Sequence, residues 1–379
     1  MENNTALKSS WAAAFTVASV WFGTHVGGGF ATGNQVIGYF AQYGWTGFLY
    51  PIISMALLAW VMYTVARFAR LRGLTNYKDT FCELYPNSKM EILFEIFYIV
   101  IILAAVAAAV SGAANLVVKF LGLPYVVACL LVIAILVVLS IFGIKLIIAV
   151  STFLSAAILV IVAVMFVVGM ANAPQGLGEA VAATPANGGL YALFRGIPVY
   201  AGFQCVSIPS FIAAATTVSN NKGIKKAAIL GGLMNGLALA ASAMMLLTWY
   251  PSIVAGDSLT LPNLFVCETI GWQWLTIIYS LLLFCAFVST SVTLVFSMID
   301  RFQGKLPESV PASARKVIVG AIVIALCFAV SLLGLSVIIS KVYGYCGYYA
   351  ILFIMLPVLI FGTKKNKEWL AEHPNCLDD

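Results

Sequence analysis

The sequence predicts an all-α polytopic membrane protein. Ten transmembrane helices are expected as a five-plus-five inverted repeat, with helices 1 and 6 broken at mid-membrane. Three observations carry this expectation: apolar runs of about 20 residues from end to end, a one-sided placement of Lys and Arg, and two helix-breaking segments half a chain apart.

Of 379 residues, 62% are hydrophobic and only 9% charged, whereas a soluble domain carries about 25% charged residues. The apolar runs do not alternate, so they read as helices rather than barrel strands. The first begins near Trp11 and is too long for the apolar core of a signal peptide, so it counts as a span. Between charged or Gly/Pro-marked breaks, spans fall at 11–41, 46–66, 91–120, 125–144, 146–170, 190–216, 227–250, 270–300, 316–334 and 338–362. Only Phe142-Gly143-Ile144-Lys145 separates the fourth from the fifth. Residues 1–172 make the first repeat, 173–189 an external loop, 190–362 the inverted repeat and 363–379 a tail.

Charge tests this layout independently. With a cytoplasmic N-terminus, the inward segments hold Lys8; Arg67, Arg70, Arg72, Lys78 and Lys89; Lys145; Lys222, Lys225 and Lys226; Arg301, Lys305, Arg315 and Lys316; and Lys364, Lys365 and Lys367. Of the 20 Lys and Arg residues, the other three, Lys119, Arg195 and Lys341, fall at outer ends. This is the positive-inside pattern of a multi-pass cell-membrane protein with both termini cytoplasmic. The net charge of +6 therefore reports orientation in the lipid bilayer, and no basic patch interleaved with aromatics calls for nucleic acid. Eight scattered cysteines form no CxxC and no plausible external pair, so neither a disulfide framework nor a zinc site is indicated.

The first span is about 45 Å long if helical throughout, more than the roughly 30 Å hydrocarbon core requires. It carries "GTHVGGGFATGNQ", residues 23–35. Gly27, Gly28 and Gly29 are contiguous and surround the helix, whereas a packing seam spaces glycines four apart. They mark a place to unwind. The sixth span carries "GIPVYAGFQCVSIPSF", with Pro198, Gly202 and Pro209 around Phe203, Gln204, Cys205 and Ser207. Five spans per half is odd, so the halves enter from opposite sides and the two breaks meet at the midplane. Unpaired N–H and C=O groups there are tolerable when a charged solute or ion satisfies them.

On the eighth span, Ala286, Ser289 and Thr290 form an A-x-x-S-T pattern on one helix face. Two hydroxyls, the Ala286 carbonyl and two first-span carbonyls would make a five-oxygen shell for a hard monovalent cation. The alternative is that both hydroxyls bond back to their own helix.

Nearly the whole chain, residues 8–362, resembles the LeuT-type fold of the amino acid–polyamine–cation superfamily, and in particular the YkvI-like group of bacterial membrane proteins. The 23–35 segment carries the closest likeness. The resemblance implies a sodium ion between Gly23 and Val26 carbonyls and Ala286, Ser289 and Thr290. It implies an external lid at 251–271 and a solute carboxylate on the N–H groups of Gly27, Gly28 and Gly29. Where that group often carries an acidic residue in a G-x-E pattern, this chain reads Gly33-Asn34-Gln35. Proton coupling through that position then lacks its carboxylate.

His25 lies at the first break and either touches solute, carries a proton, or steadies the turn. Thr24, Thr32, Gly202, Phe203, Gln204 and Ser207 complete the expected lining, with Ser111 and Asn115 on the third span facing the same cavity. Glu91 and Glu95 read as an inner-gate or cytoplasmic-interface pair; Arg195 and Lys341 read as snorkelling residues or an external gate. No H-E-x-x-H or paired-Asp motif supports an enzyme. The expected function is secondary active transport of a small solute, an amino acid or similar zwitterion, with sodium as coupling ion and no other cofactor. Proton-coupled or uncoupled carriage of a small amine or organic ion is the alternative, and a channel or sensor a weaker one. Oligomeric state is not legible.

Overall fold

The computed structural model describes residues 11–25, 27–142, 157, 160–218 and 220–373. Val26 and most of the first half of the fifth expected span lie outside the described residues. The chain starts with α1 (Trp11–His25), α2 (Gly28–Ala31) and α3 (Asn34–Tyr39), then two 3-10 turns lead into α4 (Tyr50–Leu71). A short α5 (Tyr77–Leu84) follows, opened by Asn76, whose side chain accepts from the Asp79 N–H. Next come α6 (Glu91–Leu121), closed by Gly122 in the left-handed region, α7 (Tyr125–Phe142) and α8 (Val160–Ala171).

Two connecting helices, α9 (Leu177–Ala183) and α10 (Gly189–Phe194), precede α11 (Tyr200–Phe203) and α12 (Ile208–Ala215). The long α13 (Asn221–Ala255) leads to α14 (Pro262–Ile270) within the expected lid. Then follow α15 (Gln273–Gln303), α16 (Ala312–Ser331), α17 (Leu335–Val337), α18 (Tyr343–Ala350) and α19 (Thr363–Glu372).

Among the described residues, seven helical stretches are long and apolar enough to cross a membrane: 45–71, 88–121, 189–215, 221–255, 273–303, 312–331 and 335–372. The shorter α1, α7 and α8 fall on the first, fourth and fifth expected spans. The outward surface carries bare apolar side chains such as Trp60, Leu190, Leu281 and Val317, the surface that lipid rather than water covers. One boundary differs from expectation. The last helix runs on to Glu372 instead of ending near 362, because Lys365 and Asn366 find carbonyls of Glu83, Tyr85 and Thr64.

Two packed groups hold the site between them. In one, α1 and α4 lie against α12 and α13; in the other, α6 and α15 lie against α16 and α7. Small residues make the close contacts: Gly232 and Gly236 of α13 meet α4 backbone and Met55, and Gly231 lies under the Trp21 ring.

Candidate functional site

The first expected break lies on either side of Val26. α1 stops at His25, the Gly27 N–H turns back to the His25 carbonyl at 2.8 Å, and α2 restarts at Gly28. Gly33, at φ 82°, makes the left-handed turn into α3; a Cβ there would be strained and would press on Asn263. The carbonyls released by the turn are taken by distant residues. Asn263 of α14 donates its side-chain amide to the Ala31 carbonyl at 2.9 Å and its backbone N–H to the Thr32 carbonyl at 3.1 Å. Tyr279 of α15 donates to the same Ala31 carbonyl at 2.6 Å. The Thr32 hydroxyl donates to the Gly29 carbonyl and accepts from the Asn34 N–H. Each group left unpaired in hydrocarbon would cost several kcal/mol, so Asn263 and Tyr279 stabilise the turn directly. Sequence reasoning passed over both. The available signal was a polar Asn directly after Pro262 in an otherwise apolar stretch.

His25 is buried with both ring nitrogens engaged. Asn235 of α13 gives its amide N–H to the Gly231 carbonyl at 2.8 Å, which leaves its oxygen facing His25 Nδ1. In the neutral ring Nδ1 therefore carries the hydrogen and Nε2 accepts from the Tyr200 hydroxyl at 2.9 Å. One side chain thus ties α1 to α11 and α13. Asn235 was another residue that sequence reasoning did not single out.

The second expected break, within 189–215, stays helical and changes pitch: π at Arg195–Val199, where Pro198 withholds a donor, then 3-10 at Gln204–Ser207. Between them Gly202 lies against the Gly347 backbone of α18.

One cavity of about 430 Å³ lies between these elements. Of the residues expected from sequence, Gly23, Thr24, His25, Gly27, Gly29, Phe203, Gln204, Ser207, Ala286, Ser289 and Thr290 line it. Four expected residues do not. Gly202 is spent on the approach to Gly347 and Thr32 on bridging the turn. Ser111 binds the Tyr125 hydroxyl at 2.6 Å, which donates to the Ser331 carbonyl, so it joins α6, α7 and α16. Asn115 donates its side-chain amide to the Ser111 carbonyl at 2.8 Å, within α6. Gln35, Tyr98, Phe287, Ser210, Thr293 and Tyr343 line the cavity without having been foreseen as lining. Ser289 donates to the Ala286 carbonyl at 3.1 Å, the back-bonded alternative. That bond uses the Ser289 hydrogen and leaves its oxygen lone pairs to offer a cation. Among the described residues, no Asp, Glu, Lys or Arg borders the cavity.

The two ends of the cavity differ. At the Lys- and Arg-rich end it reaches Tyr98, whose ring lies 5.8 Å from the Arg301 guanidinium. Arg301 Nε donates to Glu95 Oε1 at 2.6 Å, its Nη2 pairs with Glu95 Oε2, and the Tyr77 hydroxyl of α5 joins at 3.3 Å. Glu95→Ala, which strands a largely buried guanidinium, is expected to cost about 3 kcal/mol, read as a lower melting temperature in detergent. Glu91→Ala, at the helix start, is expected to change little.

The opposite end is sealed. Arg195, 7% exposed, donates to the Ser340 carbonyl at 2.7 Å and lies 4.5 Å over the Tyr39 ring, so it does not snorkel. Lys341 is exposed, as snorkelling requires. Tyr39 donates to the Ile339 carbonyl, and the Asn34 amide binds the Leu259 carbonyl and Ser336 hydroxyl. Lys119 pairs with Glu268 at 2.7 Å and fastens α14 to α6.

No protein-family model matches the chain. It is 25% identical over 350 residues to an uncharacterised membrane protein, YkvI of Bacillus subtilis strain 168, covering 92% of this chain and 96% of that one. Among solved structures, it superposes on the substrate-bound, outward-open state of a Na+-coupled sialic acid symporter at TM-score 0.61. Identity there is 17%, with 92% of this chain and 79% of that one covered. It superposes on MhsT in complex with L-phenylalanine at TM-score 0.58 and 17% identity, covering 94% of each chain. The fold is that of the LeuT-type transporters.

Proposed function

We propose that the chain is a secondary active transporter that moves a small solute by alternating access across the cell membrane. Ten spans form two inverted five-helix repeats, with the first helix interrupted between α1 and α2 and 189–215 changing pitch without a gap. The observation that carries this reading is one cavity without Asp, Glu, Lys or Arg among its described lining residues, placed where the first helix breaks and 189–215 changes pitch, bridged by Arg195 and Tyr39 on one side and reaching toward the basic end on the other. With positive residues inside, the conformation is closed to the exterior and faces the cytoplasm. The shared fold with a Na+-coupled symporter and an amino-acid-bound transporter supports the same reading.

Sodium is the coupling ion in this proposal, held by carbonyls of the first helix and by Ala286, Ser289 and Thr290. The solute is an amino acid or similar zwitterion, because a cavity without formal charge favours a solute whose charges balance. His25, bonded on both sides by protein, steadies α1 against α11 and α13 rather than ligating solute. The test is a thermal-shift screen of purified protein against amino acids, amines and small organic acids, with sodium or with choline in its place. Solute stabilisation that needs sodium is the expected result; a solute that stabilises equally in choline removes sodium coupling, and none at all removes the carrier reading.

A further inference from the structure

The polar atoms of the cavity wall divide unequally. Thr24, Ser210, Ser289 and Thr293 each donate to a carbonyl of their own helix, at 2.8, 2.9, 3.1 and 2.9 Å. Two buried atoms have no partner: Gln35 Oε1 on α3 and Ser207 Oγ on the 3-10 turn of the sixth span. Gln35 is 6% exposed and Ser207 1%, so water does not serve them freely. The Gln35 side chain is also fixed in direction. Its Nε2 and Cδ lie over Gly29, where a Cβ would overlap them, so glycine at 29 is what lets the amide lie along the wall. Its Oε1 is left without a donor.

We infer that Gln35 and Ser207 select the solute: the Gln35 carbonyl takes an amino group, and Ser207 a second polar group of the same molecule. This rests on the carrier reading above and names the chemistry it recognises. A neutral amide accepts from an ammonium without demanding a net positive solute. A carboxylate at position 35 would favour cations, and with no Asp, Glu, Lys or Arg among its described lining residues, and His25 bonded on both ring nitrogens, the cavity has nothing else to hold a lone charge. Matched polar groups reject an analogue that lacks its half of the pair, because the protein's half stays buried and unbonded.

The experiment pairs a deletion in the protein with one in the solute. Wild type, Gln35→Leu, Ser207→Ala and Gln35→Glu are titrated in sodium chloride with standard L-amino acids, their decarboxylated amines and their desamino acids. For wild type, the best amino acid is expected to bind at least about tenfold more tightly than its desamino acid. In Gln35→Leu that ratio falls toward one, while melting without solute holds or rises because an orphaned acceptor is gone. Ser207→Ala weakens the same amino acid. Gln35→Glu shifts preference toward the decarboxylated amine. A wild-type-like ratio in Gln35→Leu overturns the inference and leaves the carrier standing. If no compound binds wild type, the carrier reading and this inference fall together. If Gln35→Leu and Gln35→Glu both lose all binding and melt well below wild type, position 35 is structural and the inference is also overturned.

Discussion

Gly202→Val is expected to leave little folded, transport-competent protein. The α carbon of Gly202 faces the Gly347 carbonyl group, and the α carbon of Gly347 faces the Val199 carbonyl and side chain. These are backbone-to-backbone contacts between 189–215 and the last span, so no rotamer change makes room. Overpacking of this kind costs about 3 kcal/mol or more, since helical segments have to separate. The same contact positions the cavity: Phe203 beside Gly202 lines it and packs on Tyr343 of α18, ring centroids 5.2 Å apart. Gly202→Ala should show a smaller loss in the same direction, as reduced monodisperse yield and a lower melting temperature. Gly38→Ala is the control. It lies in α3 with open space around its would-be Cβ and no positive φ, so it should be neutral or slightly stabilising. Equal melting of Gly202→Ala and Gly38→Ala would show that the close approach contributes nothing.

Ser289→Ala combined with Thr290→Ala is expected to abolish the response to sodium while leaving the fold intact. Neither hydroxyl joins one helix to another: Ser289 bonds to its own helix at Ala286. Losing that bond costs little, so melting without sodium should match wild type. A coupling ion at one hundred times its dissociation constant stabilises the folded form by about 2.7 kcal/mol, and that increment is what the double variant should lose. Thr293→Ala supplies the contrast. Thr293 also lines the cavity and bonds back to Ser289, but stands outside the A-x-x-S-T face, so its sodium response should persist. A full sodium shift in the double variant would remove the ion from this helix.

Much of the site was legible because lipid restricts the solutions. The contiguous glycines at 27–29 and the prolines at 198 and 209 announce departures from regular helix whatever surrounds them. Thr24, His25, Phe203, Gln204 and Ser207 could therefore be placed on one cavity from sequence. Ser111 could not. A serine among alanines on an apolar helix reads equally as lining or as a bonded core group, and only the position of Tyr125 decides it. Arg195 read as a snorkelling end residue because nothing local offered a partner. Its partners, the Ser340 carbonyl and the Tyr39 ring, come from segments far along the chain on either side, Ser340 lying 145 residues away.

The sequence by itself determined a helical membrane chain and where regular helix would be disturbed, and it predicts sidedness through Lys and Arg. Each follows from the transfer free energy of residues to lipid or from the backbone limits of Gly and Pro, properties that need no neighbour. Tertiary structure alone decided who satisfies the loosened backbone, with Asn263 and Tyr279 taking the Ala31 and Thr32 carbonyls. It alone decided which polar atoms, Gln35 Oε1 and Ser207 Oγ, stay unmatched. A hydrogen bond forms between positions fixed by packing, and its partners here lie up to 302 residues apart.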